Sequence, residues 1–161
     1  MNAETVVHEA AHQTAFNTGI HSRYSPPSRW IAEGIGTLFE APGVYDSRRY
    51  RQSAPRLNRS QLENFRVAFA DGIPKGSIQA LVSGDRLFRA SPRAFYALSW
   101  ALTYMYAEQE PRRLSEFLKV TAGRRAFMDY SEAQNVQDFI RVFGPDFQML
   151  RSRIHRTMMA L

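Results

Sequence analysis

The chain contains no cysteine in its 161 residues. That excludes a disulfide scaffold and any thiolate metal site, so a bound metal must rely on imidazole and carboxylate groups. Lysine is scarce too. Only Lys75 and Lys119 stand among the 21 basic residues, the rest are arginine, and the formal charge is +6. A basic balance permits contact with nucleic acid or an anionic surface. The arginines are scattered, however: Arg48, Arg49, Arg51, Arg56 and Arg59 in one stretch, then Arg112–Arg113, Arg124–Arg125, and Arg151, Arg153 and Arg156. No zinc-finger or RNA-recognition signature accompanies them, so a solvated arginine-rich surface is expected and no specific nucleic-acid partner.

Long apolar runs are missing, which excludes a membrane-spanning helix. The N-terminus carries no basic segment followed by an apolar stretch, the mark of a signal peptide. The compartment is therefore unassigned: exported or periplasmic if a longer chain carries such a signal. Period-two alternation is also absent, which argues against strands.

What is present is a succession of helical patterns punctuated by Gly and Pro. A 44% hydrophobic, 22% charged composition is that of a globular chain, and its length fits a single helical domain over 1–161. A first helix is predicted from Glu4 to Phe16, with Asn2 able to cap it, and a second from Arg29 to Glu40 behind Ser28. Residues Ala41 to Arg59 read as a long loop. Ser60 and Glu63 form a capping-box pattern for a third helix ending near Asp71-Gly72. A short piece covers Ser77 to Val82. Ser91-Pro92 opens a helix running through Trp100 to about Glu108. Pro111 to Thr121, Ser131 to Phe143 and Pro145 to the C-terminus complete an all-α fold. His155, in the basic last helix, is expected to face solvent.

Chemistry concentrates in Val6-Val7-His8-Glu9-Ala10-Ala11-His12-Gln13, which holds the zincin pattern of His-Glu, two free positions, then His. Residues four apart share one helical face, so both imidazoles can address one ion. Zinc accepts such nitrogens and keeps a position open for water in catalytic sites. Glu9, beside the first ligand, can act on that water as general base. The metzincin arrangement fails, because its next glycine and histidine positions hold Ala15 and Thr18. His21 is nearby but fits no zincin spacing.

Trp30-Ile31-Ala32-Glu33-Gly34 follows, with 20 residues separating His12 from Glu33. His-Glu-Ala-Ala-His-Gln-x-Ala-Phe-Asn-x-Gly and then Trp-Ile-Ala-Glu-Gly-Ile together resemble the peptidase-MA-like bacterial families. Several of these are known only as domains of unknown function. More distantly they resemble the gluzincins, the clan of aminopeptidase N and thermolysin. The resemblance implies that Glu33 is the third zinc ligand. Its spacing from His12 is slightly longer than in the aminopeptidases, and the difference falls in a loop holding Pro26-Pro27, where insertion is cheap.

Glu40, two turns beyond Glu33 on the same face, is a candidate to brace His8 or His12; an ordinary helix-end glutamate is the competing reading. Tyr96, 63 residues past Glu33 and with Ser99 three positions later, resembles the tyrosine that stabilises the oxyanion in the aminopeptidases. Tyr96, Trp100 and Tyr104 also form an i, i+4, i+8 stripe suited to plain core packing.

The resulting expectation is a zinc-dependent hydrolase, in first place a peptidase acting on a peptide or protein substrate. The alternative is a non-catalytic zinc-binding helical interaction module. In gluzincins the metal helix follows a mixed sheet whose edge strand holds substrate. Here that helix starts almost at residue 1. The chain is therefore expected to be the C-terminal part of a longer protein, with a sheet-bearing N-terminal segment as partner.

Overall fold

The computed structural model describes residues 3–50, 52 and 54–161. The expected Asn2 cap lies outside the described residues, as does Arg51. Among the described residues the regular structure is all helical: α1 (Ala3–Asn17), α2 (Arg29–Phe39), α3 (Pro42–Tyr45), α4 (Arg59–Ala68), α5 (Ser77–Ser83), α6 (Arg86–Ala90), α7 (Pro92–Gln109), α8 (Pro111–Ala122), α9 (Glu132–Phe143) and α10 (Phe147–Ala160). None of them is long and apolar enough to cross a membrane.

Local chemistry explains several starts. The Ser91 hydroxyl accepts the Ala94 N–H at the head of α7, with Pro92 in the first turn, where its missing N–H costs nothing. At α9, Ser131 and Gln134 complete a reciprocal capping box. Asp146 accepts the Met149 N–H at 2.7 Å and delays α10 to Phe147, two residues past the expected Pro145.

The sequence reading also leaves α6 unassigned and errs at further places. The Ala41 to Arg59 stretch is not one loop: it holds α3 and a 3-10 turn, Ala54–Arg56. Helix α4 begins at Arg59 because Asn58, not Ser60, caps it; the Asn58 Oδ1 accepts the Gln61 N–H at 3.1 Å. The helix also ends at Ala68, short of Asp71-Gly72. And His155 is half-buried, its Nε2 3.0 Å from the Phe69 carbonyl, so it ties α10 to the end of α4.

The core is organised around α7, which buries an unbroken run from Ala97 to Tyr106. An aromatic cluster fills the space toward the C-terminal helices: Trp30 meets Phe117 and Phe139 at ring separations of 5.4 and 5.9 Å, and Phe143 stacks on Tyr106 at 4.0 Å. Each such side chain contributes roughly 1.5–3 kcal/mol of burial. Trp100 and Tyr104 belong to this core, stacked at 5.3 Å. Arginines tie elements at the rim: Arg56 pairs with Glu108 and Arg124 with Asp138, both at 2.7 Å. Helix α2 lies between α7 and α1. Helix α1 is the outer layer, and among the described apolar side chains of α1 Ala11 and Ala15 are the buried ones.

Candidate metal centre

The α1–α2 contact is polar, and one residue sets its spacing. A Cβ on Gly36 would stand 2.7 Å from Cε1 and 2.9 Å from Nε2 of His8. Glycine at 36 therefore lets the His8 ring lie directly on the α2 backbone. One turn on, His12 sets its ring edge-to-face with His8, centroids 4.7 Å apart. Both rings then look across at Glu33 on α2.

Three potential ligand atoms converge there. His8 Nε2 and His12 Nε2 are 3.0 Å apart, and Glu33 Oε2 lies 3.3 Å from the first and 3.6 Å from the second. Allowing each residue its choice of atom, the set lies within 4.8 Å. Zinc with bonds of about 2.0–2.1 Å in tetrahedral array needs ligand atoms about 3.3–3.4 Å apart. The observed triangle brackets that edge, so these three residues fit a zinc ion. Their side chains are 15–19% exposed, sunken yet reachable from solvent.

Glu40 meets His8 from behind. The His8 Nδ1–H donates to Glu40 Oε1 at 2.8 Å, which turns Nε2 toward the triangle. The other Glu40 oxygen accepts from Asn58 Nδ2 at 2.7 Å, and the same amide donates to the Thr37 carbonyl at 3.0 Å. Asn58 is buried, so one side chain starts α4, pins the end of α2 and fixes the carboxylate that orients His8. Sequence reasoning missed it. Its only local signal is an Asx-type cap ahead of a helix.

Charge in the cluster follows from these contacts. Hydrogen bonds to Glu33 and then Glu40 outweigh burial and raise His8 to about 9. Burial pushes Glu33 up, but hydrogen bonds from His12 and His8 prevail and hold its carboxyl at about 2. Glu33 is thus ionised at neutral pH, and a metal has to displace the His8 proton.

Tyr96, at the head of α7, is half-buried against Phe88 and Phe95. Burial first, then the negative charge of Glu33, raises its phenol above the ordinary value, and Glu9 adds to this. Tyr96 is therefore a neutral O–H donor beside the cluster. Glu9 is solvent-exposed on the α1 turn that carries His8. His21 is not among the converging groups. It is buried edge-on to Phe16, and desolvation lowers it to about 4.

A cleft of about 550 Å³ opens from the cluster, lined by His12, Phe16, Arg29, Glu33, Met128 and Tyr130 among others. Arg29 crosses one wall, 3.7 Å from Asp85 and packed over the Phe88 ring.

An all-α chain with a His–His–Glu cluster at the head of an open cleft is what the fold and site define. The chain belongs to the family described as Protein of unknown function (DUF1570), whose model matches residues 2–128. That span contains every residue of the cluster, with Asn58 and Tyr96. No curated protein and no solved structure matches the chain.

Proposed function

We propose that this chain is a zinc-dependent hydrolase, in first place a peptidase, with His8, His12 and Glu33 as the metal ligands. The observation that carries the reading is the triangle of 3.0, 3.3 and 3.6 Å between their ligand atoms, with His8 braced by Glu40. Zinc bound there supplies Lewis-acid polarisation of a carbonyl and lowers the pKa of water.

The remaining work falls to the chain's own groups. Glu9, adjacent to a ligand and open to solvent, accepts the proton of the attacking water and returns it to the leaving amine. Tyr96 keeps its proton at neutral pH and donates a hydrogen bond to the oxyanion that develops on the substrate. Glu40 and Asn58 touch no substrate; they hold the His8 ring in its tautomer and orientation. The cleft beside His12 and Glu33 admits an extended chain to the cluster.

Elemental analysis of the dialysed protein tests the ligand set. About one zinc per chain is expected in the wild type and in Glu9→Gln, with strong loss in His12→Ala and Glu33→Ala. Peptide-pool digestion followed by mass spectrometry should show cleavage by the wild type and a fall of at least about 100-fold in Glu9→Gln. Zinc bound without turnover in the wild type would favour the non-catalytic module instead. No zinc after reconstitution would defeat both readings.

A further inference from the structure

The loops that border the cleft carry a feature the hydrolase reading does not use. Phe127 sits at φ +60° and is 82% exposed. An aromatic L-residue in left-handed backbone is strained, and its ring gains nothing from burial. The segment is nevertheless pinned. The Phe127 N–H donates to the Tyr24 carbonyl at 3.0 Å, the Ser25 hydroxyl donates to the Arg125 carbonyl, and the Arg125 N–H donates to the Tyr130 hydroxyl at 2.8 Å. The Tyr24 ring lies 5.1 Å from that of Phe127. Tyr24 and the adjoining Met128 are also exposed, at 62% and 50%.

Position gives this patch a meaning. Met128 lines the same cleft as His12 and Glu33, while Tyr24 and Phe127 are chain neighbours of the lining residues Ser25 and Met128; the lining joins Phe16, Pro26 and Pro27 to polar groups such as Arg29, Asp85 and Arg124. A solvent-facing apolar wall continuous with a ligand-lined cleft is the form that a side-chain subsite takes. Strain held in place by surrounding hydrogen bonds is characteristic of ligand clamps.

We propose that Tyr24, Phe127 and Met128 form the specificity wall of the metal centre, seating a bulky apolar side chain of an extended peptide that flanks the bond presented to the cluster. This rests on the peptidase reading for the bond cleaved, but the docking itself can be measured without turnover. Phe127→Gly is the decisive variant. Glycine adopts positive φ freely, so this change removes the ring and relieves the backbone at once.

The test uses two labelled peptides, identical except that Phe in one is Ser in the other. Binding is read by fluorescence anisotropy on the zinc-loaded full chain carrying Glu9→Gln, and cleavage on the wild type. The wild-type wall is expected to favour the Phe peptide about tenfold, the scale of burying one aromatic ring. In Phe127→Gly that preference should fall to near parity, with zinc content unchanged and Tm unchanged or raised. Met128→Ser should reduce it in part. Equal binding of both peptides by the unsubstituted wall would overturn the proposal, as would a preference that survives Phe127→Gly. Sedimentation showing a dimer abolished by Phe127→Gly would reassign the wall to self-association. If no chain cleaves either peptide, the hydrolase reading fails while the binding ratio still decides the wall.

Discussion

Gly34 and Gly36 stand two residues apart on α2, and they face opposite neighbours for opposite reasons. Gly34 meets α7: a Cβ there would collide with Thr103 Oγ1 and stand 2.9 Å from the Ser99 carbonyl. Gly36 meets α1, where the obstacle is the His8 ring. The first contact is helix against helix inside a dry core, with Leu98, Trp100 and Leu102 fully buried around it. The second is a polar seam in which α1 contributes few buried apolar atoms and the cluster supplies the contacts. One face of α2 is packed into the core and the other supports the His–His–Glu cluster. The comparison teaches that the same residue type can be structural on one side of a helix and functional on the other.

Breaking the core face should have the largest effect. Gly34→Ala meets a fixed backbone carbonyl, so it is expected to destabilise the fold by about 3 kcal/mol, even after the gain in helix propensity. Urea denaturation checks this: an unchanged midpoint would mean that α2 and α7 are not in the close contact described. Breaking the polar face should leave the fold nearly intact. Gly36→Ala gains up to about 1 kcal/mol of helix propensity but displaces His8, so zinc affinity should drop about 100-fold while the denaturation midpoint hardly moves. Competition with a chromophoric chelator reads the affinity. A large fall in stability instead would show that Gly36 serves packing, as Gly34 does.

The smallest expected effect sharpens the contrast. Asn58→Ser keeps an oxygen able to cap α4 but loses the amide that holds Glu40 and the Thr37 carbonyl, without setting a second carboxylate against Glu40. Stability should stay within about 1 kcal/mol, and zinc affinity should fall about tenfold. Asn58→Ala loses both functions and should lower stability and affinity together. Equal zinc affinity in all three proteins would remove Asn58 from the account of the site.

Much of this was legible in the sequence where signals are local. The His8, Glu9 and His12 spacing sits within one helix, and the Ser91 and Ser131 caps lie a turn from what they cap. The all-α character follows from helical patterning without strand alternation. Glu33 was reachable through the resemblance carried by Trp30-Ile31-Ala32-Glu33-Gly34, and Glu40, the cap that ends α2, through its two-turn spacing from Glu33. Other features depend on contacts made across the chain. Asn58 stands 50 positions after His8 and acts through Glu40. Ser60 carried the stronger written pattern for a cap, yet the amide two residues earlier had tertiary partners and fixed the helix start. Helices α3 and α6 are only four and five residues long, too short to declare themselves by periodicity. The pairing of Tyr24 with Phe127 joins two loops about a hundred positions apart, and neither loop marks it.

Helix α1 has one further consequence. It rests mainly against α2, and among its described residues the fully buried apolar groups are the methyls of Ala11 and Ala15, with Val7 and Phe16 half-buried. An ion held by His8 and His12 from one helix and Glu33 from the next would therefore cross-link the two layers. Its binding free energy is shared with the docking of α1. Without the ion, α1 is held by little apolar contact among its described residues, and its amides should exchange with solvent earlier than those of α7. If the proposed ligand set is right, scarce zinc would let the helix bearing His8 and His12 loosen ahead of α7.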